Sequence, residues 1–393
     1  MTLAKKISAS IEKSSFIRKM FEEGARLKGI HGAENVFDFS LGNPNLVPPE
    51  EFKKALAEAV SESGAGTHSY MPNVGYPFAR QAVAEFLTGE QGITVTENDV
   101  VMTCGAAGAL NVVFKTILDP GDEVISPTPY FVEYNFYVDN HNGVMKTVPA
   151  NPDFTLNLEA MAEAITEKTK VVLINSPNNP TGQIYSKESL DALGKLLEEK
   201  GKEFNKTIYL VSDEPYRKII YDGNVVPSIF GSYKETIIVT SYSKDISVPG
   251  ERIGFLAIHP QATYKEALYG GFALSNRILG FVNAPALMQR AIAKVQGVNV
   301  DMTQYEKNRK LFCDGLADAG YEFTTPPGAF YLFPKTPIED DVAFVAELQK
   351  ELILVVPGSG FGGPGHFRIA YCCDEESIVK SLPGFKKVMA KYK

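Results

Sequence analysis

The chain has 393 residues, 44% hydrophobic and 22% charged, which are ordinary proportions for a folded globular protein and enough length for two domains with separate cores. Its formal net charge of -8 leaves no basic surplus for a nucleic-acid partner, so any anion site must be local. Cys104, Cys313, Cys372 and Cys373 show neither Cys-x-x-Cys spacing nor a nearby histidine pair, which argues against a metal site or a disulfide scaffold and favours reduced thiols in a cytoplasmic setting.

Residues 2–28 read as one helical stretch, with Leu3, Ile7, Ile11 and Met20 forming an apolar stripe. The start lacks the apolar core of a secretory signal, and no apolar run approaches the roughly 20 residues of a membrane span. A short strand over residues 36–40 then ends in the turn Gly42-Asn43-Pro44, where a missing side chain lets a ligand approach the backbone. Residues 50–63 form an amphipathic helix. A loop over residues 68–75 carries Tyr70, and residues 77–88 are helical again.

From residue 99 the pattern alternates strand and helix, which calls for a largely parallel sheet with both faces covered. The strand at 99–104 runs straight into Gly105, Ala106 and Ala107 and a helix to about residue 117. Free backbone N–H groups and the positive helix end make such a turn a phosphate cradle. The strand at 120–126 is followed by Tyr130 and Phe131, aromatic rings placed to stack on a planar ligand at a strand end. After the strand at 170–175, Pro177, Pro180 and Gly182 stiffen a loop that holds Asn178 and Asn179. A helix over 187–199 is capped by Ser186. The strand at 207–212 leads into Asp213 and Tyr216.

The next strand, 236–240, gives way to Ser241-Tyr242-Ser243-Lys244, with Arg252 eight positions beyond the lysine. A lysine flanked by hydroxyls and near a second cation suits an amine whose lone pair is freed for covalent chemistry. After a further strand at 254–259, helix is expected over 284–319. A strand near 326–333, a helix near 340–351, strand-like segments at 354–357 and 366–371 and a closing helix then form a smaller α+β unit. Gly358-Ser-Gly360-Phe-Gly-Gly363 has dinucleotide-loop spacing, but Pro364 and a strand follow it instead of a helix, so it reads as a turn.

Taken together, the candidate groups between residues 99 and 252 all fall at strand ends on one edge of one sheet. Their chemical types complement pyridoxal 5'-phosphate. On Asn178-Asn179-Pro180-Thr181-Gly182, Asp213-x-x-Tyr216, Ser241-x-x-Lys244 with Arg252, and Phe367-Arg368-Ile369, the chain resembles the class I/II aminotransferases, pyridoxal-phosphate enzymes of fold type I. The resemblance covers nearly the whole chain. It implies an α/β fold: a large domain over residues 46–289 with a mostly parallel sheet covered by helices, and a smaller α+β domain built from both termini, residues 1–45 and 290–393.

The resemblance also implies roles. Lys244 forms the Schiff base with the cofactor and then moves the substrate proton, Asp213 keeps the pyridine nitrogen protonated, and Asn179 and Tyr216 bond the phenolic oxygen. Phe131 stacks on the ring, with Tyr130 one position away. Gly105, Ala106, Ala107, Ser241 and Arg252 hold the phosphate, and Tyr70 reaches it from the second subunit of a homodimer. Arg368 clamps the substrate carboxylate, with Gly42 and Asn179 beside it. The implied reaction moves an amino group from an L-amino acid to a 2-oxo acid. The same cofactor motifs also serve β/γ-lyases and aminocyclopropane carboxylate synthases, and they do not separate these activities.

One departure bears on specificity. Aspartate-specific members carry a second arginine at the register where this chain has Gly271, so an aromatic and aliphatic substrate range is expected at least as much as aspartate. Phe272, Phe330 and Tyr331 are candidates to line such a pocket.

Overall fold

The computed structural model describes residues 2–12, 16–62 and 64–393. The helix expected over residues 2–28 is two helices, α1 (Lys5–Glu12) and α2 (Phe16–His31), and residues 13–15 of that expectation lie outside the described residues. Leu3, Ile7 and Ile11 are 52%, 51% and 55% exposed, so that part of the expected stripe lies outside this chain's own core, whereas Met20 is partly buried against two of its apolar clusters. The short strand β1 (Phe37–Asp38) follows. The helix α3 (Glu50–Ser61) opens on Glu50 and Glu51, which favour the positive end of its dipole, and buries Phe52, Ala55 and Ala59. The helix α4 (Pro77–Gln91) starts on a proline and stops at Gly92 in the left-handed conformation.

The large α/β unit then runs through β2 (Val100–Thr103), α5 (Gly105–Ile117), β3 (Glu123–Thr128), α6 (Tyr134–Asp139), β4 (Val144–Pro149) and α7 (Leu158–Ala164). It continues with β5 (Thr169–Asn175), α8 (Lys187–Glu203), β6 (Tyr209–Asp213), β7 (Thr236–Ser241) and β8 (Gly254–Ile258). Ser186 caps α8 through its side chain, as expected. The seven strands lie in the order β2-β8-β7-β6-β5-β3-β4, and β8 alone runs against its neighbours. Alternate residues serve opposite faces. Val101, Val124, Leu173, Val211 and Val239 enter one buried cluster, whereas Val100, Ile125, Val172, Leu210 and Ile238 enter another. Helices cover both faces, which is why these strands read as continuous apolar runs.

Four elements here had no clear trace in the residue pattern: the short helices α6 and α7, the edge strand β4 and one further helix. The edge strand β4 has a largely exposed face, so it lacks the apolar run that marks its neighbours. The helix α9 (Lys265–Ile278) carries Gly270 and Gly271, which lower its intrinsic helix preference. The helical stretch expected at 284–319 divides into α10 (Ala286–Ile292) and α11 (Thr303–Ala319), with Gly297 in the left-handed region between them.

The remaining elements are β9 (Tyr331–Leu332), α12 (Asp341–Lys350), β10 (Ile353–Leu354), β11 (Val356–Pro357), β12 (Phe367–Ala370) and α13 (Glu375–Met389). β9, β12 and β11 form an antiparallel sheet, while β1 pairs with β10 in parallel, which ties the two chain ends together. A separate aromatic core sits here. Phe39 meets Phe312 edge-on at 5.0 Å, and Tyr321, Phe344, Phe367 and Phe385 pack around them.

Candidate active site

The register of the large sheet assembles the site. Gly254 at the start of β8 pairs with Thr103 on one side and Ser241 on the other, so the ends of β2 and β7 emerge side by side. A Cβ on Gly254 would lie 2.4 Å from the Thr240 carbonyl oxygen and 3.0 Å from the Gly105 backbone, a closeness that only glycine allows. Asn175 pairs with Asp213 and Asp213 with Val239, which brings the ends of β5 and β6 to the same edge. A cavity of about 340 Å³ opens there, and its wall includes Lys244, Asp213, Tyr216, Asn179, Phe131 and Arg368.

At one end of this cavity, α5 begins directly after β2, and no side chain caps its first N–H groups. Ala106, Ala107, Ser241 and Arg252 line this end. Gly105 is set just behind the wall in the left-handed conformation, and the Arg252 guanidinium lies 3.0 Å from where its Cβ would be. Free helix N–H groups, a hydroxyl and a guanidinium together make an anion site.

Deeper in, Asp213 is 5% exposed. Its Oδ2 accepts from the Tyr134 hydroxyl at 2.6 Å, while Oδ1 is buried with no hydrogen-bond partner. Burial pushes this carboxyl up to about 7, with the Tyr134 hydrogen bond opposing and the Glu214 charge adding to the rise. Asn175 ties the neighbouring strands together by donating to the Asp213 carbonyl at 2.8 Å and accepting from the Asn179 N–H at 2.7 Å. Phe131 lines the cavity, whereas Tyr130 turns away and exchanges a hydrogen bond with Asn135.

Lys244 is half-buried, and its Nζ donates to the Gly42 carbonyl at 2.7 Å. Its amine also lies 5.9 Å from the Tyr216 ring centre and 5.6 Å from that of Phe330. Burial pulls the amine down to about 8; the Cys372 thiol opposes this shift, and the Arg368 and Arg252 cations add to it. A lowered pKa makes the neutral amine easier to reach, which suits a nucleophile and a proton carrier.

Arg368 projects from β12 and is 2% exposed. It donates to Asn179 Oδ1 at 3.0 Å and to the Ser40 carbonyl at 2.5 Å, while its Nε is buried without a partner. The rings of Tyr331 and Phe361 lie 4.7 and 4.6 Å from the guanidinium carbon. A buried, flat-held guanidinium with a spare N–H suits a carboxylate.

Eleven of the thirteen residues singled out from the sequence therefore line one cavity, Gly105 stands behind its wall, and Tyr70 lies apart from it and is 90% exposed. Of the three aromatics considered for a substrate pocket, Tyr331 lines the cavity, while Phe272 and Phe330 are core residues. Tyr134 and Asn175 were not anticipated. Both sit next to quoted motifs, and an aromatic hydroxyl beside Phe131 and an asparagine closing a strand were the signals available.

A family model described as aminotransferase class I and II matches residues 34–382. The chain is 33% identical over 384 residues to a probable aspartate/prephenate aminotransferase of Aquifex aeolicus, covering 93% of this chain and 92% of that protein. It is 34% identical over 363 residues to the aspartate/prephenate aminotransferase of Thermus thermophilus, covering 90% of each. The crystal structure of an amino transferase from Eubacterium rectale aligns with a TM-score of 0.97 at 39% identity over 100% of both chains. That of the Thermus thermophilus aspartate aminotransferase with maleate aligns at 0.86 and 30% identity, covering 99% of this chain and 100% of that one.

Proposed function

The chain belongs to the class I and II aminotransferases and is a transaminase, and from that premise we propose that it uses pyridoxal 5'-phosphate in the Lys244 cavity to move an amino group from an L-amino acid to a 2-oxo acid. The observation that carries this reading is the meeting of three groups in one cavity: the Lys244 amine, the Asp213 carboxylate with a bare buried oxygen, and the Arg368 guanidinium with a bare buried N–H. The bare Oδ1 fits a protonated ring nitrogen. The uncapped start of α5, with Ser241 and Arg252, fits the phosphate.

When bound, the cofactor supplies an aldehyde for the lysine amine and a ring that accepts the electron pair released at the substrate α-carbon. Asp213 holds a proton at the ring nitrogen, which keeps that ring electron-poor. Tyr216 and Asn179 would hold the cofactor by donating to its phenolic oxygen, and Phe131 would pack against its ring. Arg368 binds the substrate carboxylate in the plane of its guanidinium, with the Gly42 backbone alongside. Lys244, whose amine burial holds below the usual lysine range, would take the proton from the substrate α-carbon and deliver it to the cofactor carbon that carried the aldehyde.

The large domain of this reading is residues 46–289 and the small one residues 1–45 with 290–393. The exposed Tyr70 supports a homodimer in which each tyrosine completes the partner's phosphate site. Four free cysteines support a reducing, cytoplasmic setting. The relatives' names point to aspartate and prephenate. Here Lys244, Arg252 and Arg368 are the cationic residues of the cavity wall, and a Cβ at Gly271 would lie 2.5 Å from Thr116. Monocarboxylic amino acids, aromatic and aliphatic, are therefore included in the proposed range.

The test is the near-visible absorption of the purified holoenzyme as single amino acids are added without an oxo acid. A stoichiometric change reversed by an oxo acid is expected, and ammonia release from one substrate would instead mean elimination.

A further inference from the structure

Tyr331 stands where three parts of the site meet. Its hydroxyl lies 2.7 Å from that of Tyr216, with the two rings edge-on at 5.5 Å. One face of its ring carries the Arg368 guanidinium, and its hydroxyl lies 1.9 Å from where a Cβ on Gly42 would be, beside the carbonyl that holds Lys244. The residue is 1% exposed, and Tyr216 is the hydrogen-bond partner of its hydroxyl.

Two phenols sharing one hydrogen bond have one donor between them. If Tyr216 gives its own proton to the cofactor's phenolic oxygen, as the function proposed above requires, Tyr331 must be the donor within the pair. On that reading, we propose that Tyr331 is a positioning residue that donates to Tyr216 and thereby strengthens the Tyr216 bond to the cofactor, while its ring holds the substrate-carboxylate arginine flat.

The physical basis is that a hydroxyl which accepts a hydrogen bond becomes a better donor. The surroundings favour this direction. Burial raises both phenols and the Arg368 cation opposes the rise at each, but the hydrogen bond between them lowers Tyr331, which stands at about 12, and pushes Tyr216 further up. The charged and titratable groups facing the pair are Arg368 from β12, Cys372 just beyond it, Asp213 at the end of β6, Lys244 after β7, Tyr134 from α6 and Tyr305 from α11. A mutation limited to the Tyr331 hydroxyl leaves all of them in place.

The experiment is a pH titration of the cofactor's visible band in the wild-type holoenzyme and in Tyr331→Phe, with the KM for the amino donor measured alongside. The expected result is a midpoint raised by roughly half a unit in Tyr331→Phe, because the phenolic oxygen loses part of its stabilisation. The KM should be little changed, since the ring still backs Arg368. Tyr331→Leu should show the same midpoint shift together with a KM raised by roughly an order of magnitude. An unchanged midpoint in Tyr331→Phe overturns the proposal and leaves the assigned function standing. A wild-type protein that takes up pyridoxal phosphate with no pH-dependent band overturns the functional reading, and this inference with it.

Discussion

The Tyr134 hydroxyl donates to Asp213 at 2.6 Å across 79 positions of sequence, occupying one carboxylate oxygen while the other is buried without a hydrogen-bond partner. That asymmetry orients the acid. One oxygen is held by a neutral donor from α6, and the remaining one is free to accept from a nitrogen that enters the site. Removing the donor in Tyr134→Phe lets the carboxyl rotate and raises its pKa further. A hydrogen bond to a charged group is worth about 1.5–3 kcal/mol, so pyridoxal phosphate should bind roughly 10- to 100-fold more weakly. Equilibrium titration of the cofactor band checks this, and unchanged affinity would remove Tyr134 from the site.

Asp213 also makes the cofactor-free protein sensitive to pH. Burial holds it at about 7 against an ordinary 3.8, so between those values the folded chain binds more protons than the unfolded one. Stability from this group is therefore present at low pH and falls as pH rises from about 4 to 7. Thermal melts of the cofactor-free wild type and Asp213→Asn should show the wild type losing ground steadily across that window. A constant gap would mean that the carboxyl is not perturbed.

Lys244→Ala should keep pyridoxal phosphate in the cavity through Asp213 and the phosphate contacts, yet lose turnover by more than about 10⁴-fold, since both the covalent attachment and the proton carrier are gone. Cofactor retention on gel filtration and single-turnover rates are the two measurements. Near-normal turnover would move the chemistry elsewhere.

Arg368→Lys keeps the charge but loses the planar fork held between Tyr331 and Phe361. Loss of charge-assisted bonds to a carboxylate predicts a fall of roughly 10- to 100-fold in kcat/KM for the amino donor, mostly in KM, with cofactor affinity unchanged. If cofactor affinity fell instead, Arg368 would belong to the other end of the cavity.

Much of this site can be read along the chain because its chemistry sits where local signals are strongest. Lys244, Asp213 and the Gly105 turn each follow a short buried strand, and such a strand announces itself by β-branched residues within a few positions. The groups that tune them were less visible. Tyr134 reaches Asp213, Arg368 reaches Asn179 across 189 positions, and Tyr216 meets Tyr331 across 115. No local period encodes these pairings. The edge strand β4 and the glycine-bearing α9 escaped for a related reason: their place depends on what packs beside them, and their own patterns are weak.

By itself, then, the sequence determined which residues carry reactive groups and that each stands at a strand end, because propensity and periodicity act over a few residues. The tertiary structure alone decided that β8 runs against its neighbours so that Thr103 and Ser241 flank one glycine. It also decided that Phe131 rather than Tyr130 faces the cavity and that Asp213 keeps one bare oxygen. Strand order and side-chain burial follow from long-range packing, and packing exists only once the chain has closed on itself.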